Sequence, residues 1–389
     1  MIALEKLVEI GFTMAQATDL SAFFRNVGYL TVGTDCVRTG VVIPANKVLV
    51  IDSNDTLNAL LKSDSQEYID ISTILVQKGN MNPNKGRVNN VILYMGTLVS
   101  GETLGNLIDE FISINANWAQ LVINSNVDAD ILSVAAKVLT NDRLFVAQTS
   151  SENIANAVED NIAIQIKNLN NANVLLSYHT TANENLAAGM AGIMANPNLG
   201  ALDVRYSTIT NITPEDYTVT VNSNLENQNV SFYTSVNAIN GGGVSQYASP
   251  ILYGSKMITG EDTKRRYIRY YLQKMLSVRA IDFLKKRLGY EDTSADVLLA
   301  MLKAVLIGGQ TNGLIKKDSI IQSGDNTIQT LGWELKTIYP TELRVTDETA
   351  YNAKQYKIVG YYRDSLTGEK VIIDLYIDPS DADKSMLGF

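Results

Sequence analysis

Runs of apolar residues alternate with amphipathic stretches along much of this chain. From Lys47 to about Arg205 the apolar runs are KVLVI (47–51), VILYM (91–95), LVIN (121–124), RLFVAQ (143–148) and VLLSYH (174–179). Each is short and continuous, as a strand buried on both faces should be. Between them, residues 55–61, 66–78, 101–115, 128–139, part of 152–169, and 183–194 read as helices. In the third of these, Leu104, Leu107, Ile108 and Phe111 recur on one face. Strand–helix alternation of this kind predicts a largely parallel sheet covered on both sides. Before it, residues 27–32 and 41–43 read as short strands. After Pro214 the alternation stops, and residues 217–221 and 230–233 read as strands. The chain ends in β-patterned segments over 330–339, 355–362 and 371–378. In the last, Ile373, Leu375 and Ile377 face one way and Asp374, Tyr376 and Asp378 the other.

The strongest helical signal lies between these regions, from Thr259 to Gly309. Thr259 and Asp262 have the spacing of a capping box, and Gly289 is placed to end the first helix as a C′ residue. Its apolar positions, Ile268, Leu272, Met275, Val278, Ile281, Leu284 and Leu288, often step by three. At about 100° per residue such a stripe drifts around the helix, which predicts contact with more than one neighbour. A second helix is predicted from near Ser294 to Gly308-Gly309, with Val297, Leu298, Met301, Leu302, Val305 and Leu306 forming a wide apolar face.

Charge changes the picture of the first helix. Residues 264–287 carry nine cations against Asp282 alone, a local charge of +8 in a chain of −9, leaving −17 elsewhere. Three readings follow: a solvated face, a nucleic-acid contact aided by Tyr267, Tyr270 and Tyr271, and a protein contact. The acidic remainder argues against nucleic acid as partner and favours protein. The candidate contact residues are Lys264, Arg265, Arg266, Arg269 and Lys274.

Candidate chemistry is sparse. With one cysteine (Cys36) and one histidine (His179), the chain offers no disulfide and no zinc ligand set. Asp52-Ser53-Asn54-Asp55 starts like a calcium loop but lacks its later Gly and Glu, and reads as an Asx turn or helix cap. Glycine-rich phosphate loops and nucleophile elbows are missing, so no catalytic, cofactor or metal residues are assigned. His179 is the one exception to weigh. It follows a predicted parallel strand, where α/β enzymes hold reacting groups, but it has no evident nucleophile. The other reading is a histidine that braces the loop through Thr180 or Thr181. The N-terminus lacks the pattern of a secretory signal, and no apolar run is long enough to cross a bilayer. Cytoplasmic assembly without membrane insertion is therefore expected.

Several stretches, in order, resemble the sheath protein of contractile bacteriophage tails. They are Tyr178-His179-Thr180-Thr181, an Ala/Gly-rich helix with Asn196-Pro197, and Val204-Arg205-Tyr206-Ser207. Ile212-Thr213-Pro214-Glu215, Leu225 to Tyr233, Gly254 to Gly260 and Thr346-Asp347-Glu348 follow. The match covers roughly the C-terminal half. The chain departs from the family at Ala353-Lys354-Gln355 and in the longer DSLTGEK turn (364–370).

The resemblance implies an α/β plus α+β fold. An assembly core would be built from both chain ends, with a largely parallel α/β domain inserted. The expected segments are 1–46 (arm and part of the core), 47–210 (inserted domain) and 211–389 (core with the basic helix and last strands). It also implies a structural subunit, not an enzyme, forming stacked six-fold rings around an inner tube and contracting to drive that tube through a host envelope for genome ejection. Its partners would be copies of itself, the tube protein, and baseplate and terminator proteins. Its place would be the virion tail, assembled in the host cytoplasm. Strand exchange between subunits would use Leu4, Leu7 and Val8 with Val371, Ile373, Leu375 and Ile377. The alternatives are a sheath of a secretion or toxin-injection apparatus, and a small-molecule enzyme with a site near His179.

Overall fold

The computed structural model describes residues 20–77, 88–141, 143–195, 204–237, 248–316, 319–323, 326–330, 332–363 and 370–377. Leu4, Leu7, Val8, Asn196-Pro197 and most of the 364–370 turn lie outside them, as do the side chains of Val371 and Ile377. The described residues divide into two compact units, one up to Arg266 and one from Tyr267 onward.

The first unit is an eight-stranded sheet with helices. Its strands are β1 (Asn26–Val32), β2 (Val48–Ile51), β3 (Asn90–Gly96), β4 (Gln120–Ile123), β5 (Leu144–Thr149), β6 (Val174–Tyr178), β7 (Ser231–Asn237) and β8 (Ala248–Tyr253). Its helices are α1 (Leu20–Arg25), α2 (Asn54–Leu60), α3 (Gln66–Val76), α4 (Leu104–Ile114), α5 (Asp128–Asn141), α6 (Glu152–Ala155), α7 (Ile162–Asn168), α8 (Leu186–Met194) and α9 (Val219–Asn227). The spatial order is β2-β3-β1-β4-β5-β6-β7-β8. The six inner strands run parallel, and β2 and β8 close the edges antiparallel.

The inner strands are buried because most of their positions are apolar or small, so both faces must be covered. β4, β5 and β6 are buried throughout. Helix starts follow local capping chemistry: Ser53, Ser65, Asn185 and Thr218 each accept a hydrogen bond from a first-turn N–H. On one face Phe111 stacks on Trp118 at 4.8 Å and on Tyr94 at 5.1 Å. Gly28 in β1 lies under Trp118; a Cβ there would stand 2.7 Å from Trp118 Cδ2.

Edge strand β8 is shielded from further pairing. It contains Pro250, and its outer side is bonded by the chain at 206–207: Tyr206 N–H donates to Leu252 O (2.8 Å) and Leu252 N–H to Ser207 O (3.0 Å).

The second unit holds a helix pair and two small sheets. α10 (Thr263–Leu284) begins just before the division, and α11 (Asp292–Thr311), α12 (Pro340–Thr346) and α13 (Glu348–Asn352) follow. β9 (Ser319–Ser323) pairs with β10 (Asn326–Thr330). β11 (Trp333–Ile338), β12 (Tyr356–Arg363) and β13 (Lys370–Ile377) form an antiparallel sheet in that order, packed on α11. Phe283 and Tyr290 meet Tyr356 edge-on at 5.1 and 5.2 Å, and the Tyr356 hydroxyl donates to Gly289 O.

Several expectations change. β1 pairs with both β3 and β4 inside the large sheet, and β7 and β8 extend that sheet. The α/β layer therefore begins before residue 47 and continues past 210. Residues 41–43 form no strand, and β2 runs antiparallel. Residues 217–221 lead into helix α9 instead of a strand: Thr218 caps it, and Leu225 is buried with Val221 packed beside the core. α10 is capped by Asp262, whose carboxylate accepts from Lys264 N–H, and not by Thr259. After that helix ends at Leu284, it is Arg287 (φ 51°) and not Gly289 that takes positive φ.

Substituting Gly28→Ala should lower stability by about 1–3 kcal/mol, because neither β1 nor the stacked Trp118 can yield cheaply. Urea unfolding checks this, and an unchanged midpoint would contradict it.

Candidate functional site

The sheet brings polar side chains together at the C-terminal ends of β1, β4, β5 and β6. β1 lies where the strand order reverses, the usual place for a crevice in such folds. A cavity of about 520 Å³ opens there, lined by Asp70, Asn124, Gln148, His179, Glu184 and Asn185 among others.

Two carboxylate centres organise it. The first is Asp70 on α3, 1% exposed. Its carboxylate accepts from the Tyr29 hydroxyl (2.6 Å), Gln66 Nε2 (2.6 Å) and Asn185 Nδ2 (2.7 Å). Burial pushes the Asp70 carboxyl up to about 6, against the opposing pull of these three donors. Burial, then the Asp70 charge, also holds the Tyr29 hydroxyl well above its usual range, so it stays a donor.

The second centre is His179, directly after β6, with its side chain fully buried. Nε2 lies 2.9 Å from Glu184 Oε2, and Nδ1 lies 3.4 Å from Glu215 Oε2. Burial alone would raise both glutamates. It is outweighed at Glu184 by the Thr213 N–H and hydroxyl, then by His179. At Glu215 it is outweighed by the Tyr217, Thr181 and Thr180 donors, then by His179. Both carboxyls therefore sit below the usual glutamate range. A general base needs a ring nitrogen open to substrate. Here the side chain has no exposed surface, Nε2 is bonded to Glu184 and Nδ1 is buried beside Glu215 without a hydrogen bond, so the ring is placed to brace.

Sequence reading found His179 and its loop but not Glu184, Glu215, Tyr217, Asp70 or Tyr29. Glu184 was within reach, five residues after the histidine. Glu215 arrives only through the return of the chain. Cys36 is buried, and burial first, then Glu67, pushes its thiol up to about 12, so it is not a reactive thiolate. Among the described residues no cluster of His, Cys, Asp and Glu could hold a metal ion, and no helix is long and apolar enough to cross a membrane.

The basic helix is less exposed than its charge suggests. Lys274 is fully buried, with Nζ 5.3 Å from the centre of the Tyr270 ring. Arg266 donates twice to Asn173 Oδ1, at 2.9 and 2.6 Å. Arg265 is half-buried with Nε 3.9 Å from Glu261, and Lys264 and Arg269 are half-buried. Tyr267 and Tyr270 are buried, so they cannot stack on bases. The exposed cations are Arg279, Lys285, Lys286 and Arg287. At the chain's other candidate site, β13 is an edge strand, with Leu375 buried and Ile373 partly buried.

No protein-family model matches the sequence, and no curated protein matches it. Solved structures do match in fold. One is a chain of the cryo-EM structure of the anti-feeding prophage (AFP) baseplate, 6-fold symmetrised, with a TM-score of 0.56 at 11% identity. That match covers 93% of this chain and 90% of the other. Another is a chain of the AFP helical sheath in its contracted state, with a TM-score of 0.51 at 11% identity and 95% of each chain covered. The chain thus shares its fold with these sheath and baseplate chains, in agreement with the mixed α/β class that the sequence resemblance implied.

The Asp70 geometry fixes a pH dependence. A carboxyl raised from about 3.9 to about 6 favours the folded state fully below its unfolded value, and that contribution is lost as pH rises through 6. From pH 4 to pH 7 the wild type should therefore lose on the order of 2–3 kcal/mol relative to Asp70→Asn. Urea unfolding of both proteins at the two pH values checks it, and a pH-independent difference would contradict it.

Proposed function

We propose that this chain is a structural subunit of a contractile sheath. Copies assemble as stacked six-fold rings around an inner tube and shorten to drive the tube through a host envelope. The observation that carries this reading is a fold likeness running over 93% and 95% of this chain to the AFP baseplate and helical-sheath structures. The chemistry of the crevice supports it from the other side, since the His179 side chain is fully buried, bonded to Glu184 and set beside Glu215.

In this reading an assembly body draws on both chain ends, and the α/β unit is the insertion between them. Its partners are other copies, the tube protein, and baseplate and terminator proteins. Assembly takes place in the host cytoplasm, and the finished object is a virion tail or a tail-derived injection apparatus. Both demand the same mechanical subunit.

Neighbouring copies are joined by β-augmentation. β13 suits this because it is an edge strand of its sheet with one side paired to β12. Leu4, Leu7 and Val8 of one copy would meet the strand carrying Val371, Ile373, Leu375 and Ile377 of the next. The positive contact toward the tube or a neighbour runs along Lys264, Arg265 and Arg269 to the exposed Arg279 and Lys285–Arg287. Lys274 and Arg266 support it from within, because one is buried and the other is held by Asn173.

A chain ending before Val371 should stay folded in its α/β unit but sediment as a monomer where the intact chain forms larger species. Analytical ultracentrifugation with circular dichroism as the folding control checks this. Large assemblies from the folded truncation would remove strand exchange from the account.

A further inference from the structure

One segment of the first unit works as a strap. From Val204 to Tyr217 it leaves the region after α8, covers edge strand β8 and returns to the crevice. Tyr206 and Ser207 bond the outer side of β8 through Leu252. Ile209 N–H donates to the Tyr233 hydroxyl at 3.1 Å, and Thr210 is held by Gln77 through two hydrogen bonds. Glu215 N–H then donates to Tyr233 O at 2.9 Å.

The end of the strap is fastened by a reciprocal exchange of carboxylates. Glu184, in the loop after β6, accepts from the strap's Thr213 N–H and hydroxyl, both at 2.7 Å. Glu215, in the strap, accepts from that loop: Thr180 N–H (2.9 Å), Thr181 N–H (2.6 Å) and both hydroxyls (2.8 and 2.7 Å). The Tyr217 hydroxyl also donates to Glu215. Buried His179 sits between the two carboxylates with one nitrogen toward each. Nε2 makes a hydrogen bond to Glu184, while Nδ1 faces Glu215 without one.

We infer that Glu184 and Glu215, set on either side of His179, form an acid-releasable fastening for this strap, and that its release lays bare the outer side of edge strand β8. This goes beyond the sheath reading and does not depend on it. The other titratable groups around the fastening are Tyr178 on β6, Tyr217 on the strap, Asp70 on α3 across the cavity, and Glu152 on α6, whose charge reaches Tyr178. Burial, then Glu215, raises both tyrosine hydroxyls, so they remain protonated throughout. The glutamates are held below their ordinary range, so the fastening contributes fully at neutral pH. That contribution is lost as pH falls through their lowered values.

Hydrogen exchange of the full chain at pH 7 and pH 4, corrected for intrinsic rates, tests this. At pH 4, peptides over 204–217 and 248–253 should lose roughly 10- to 100-fold in protection, the scale set by losing charge-assisted hydrogen bonds. Peptides over β3 and β4 should keep theirs. His179→Gln and Glu215→Gln should each show the same local loss already at pH 7. Wild-type protection of the strap in folded variants at pH 7 would overturn the inference. So would loss of protection in all peptides together in the wild type at pH 4, which needs no variant to fold.

Discussion

A parallel sheet buried on both faces is the constraint on which the first unit depends. Its inner strands present apolar side chains above and below, so helices must cover both sides. Its edges must be closed, because an open strand invites pairing with another chain. β2 and β8 close them antiparallel, and the strap at 206–207 covers the outer side of β8. Its C-terminal ends gather polar loops with buried and half-buried carboxylates, and these need partners where water is scarce. Asp70 finds three donors, and Glu184 and Glu215 find threonines and His179. Around the cavity at these strand ends the carboxylates are thus tied by internal bonds.

That arrangement bears on function through what it forgoes. The histidine side chain is fully buried, with Nε2 bonded to Glu184 and Nδ1 3.4 Å from Glu215, and the buried thiol is held protonated. What remains distinctive lies at the surface: the edge strand β13, the exposed cations Arg279, Lys285, Lys286 and Arg287, and an acidic remainder of the chain. The fold likeness to sheath and baseplate chains fits those features, and the sheath proposal uses them as its contacts.

Much of the sheet was legible in the sequence because strands such as VILYM and VLLSYH are continuous apolar runs that only double burial explains. β1 was legible as a strand but not as a central one, since its pairing with β3 and β4 depends on a crossover that local pattern does not encode. α9 was misread because alternation over Tyr217–Val221 looks like a strand until Thr218 caps a helix. His179 stood out by its position, while Glu215 reaches it only after the strap has folded back. The charge on α10 was legible as a sum and not as a surface. A drifting apolar stripe hides which turn faces inward, and Lys274 proved to be buried against Tyr270.

A sheath subunit of the kind proposed makes its main contacts with copies of itself. Negative-stain electron microscopy of the purified full chain, concentrated at neutral pH, tests it most directly. Rings or tubes with six-fold symmetry are expected. Uniform small particles at every concentration would contradict it.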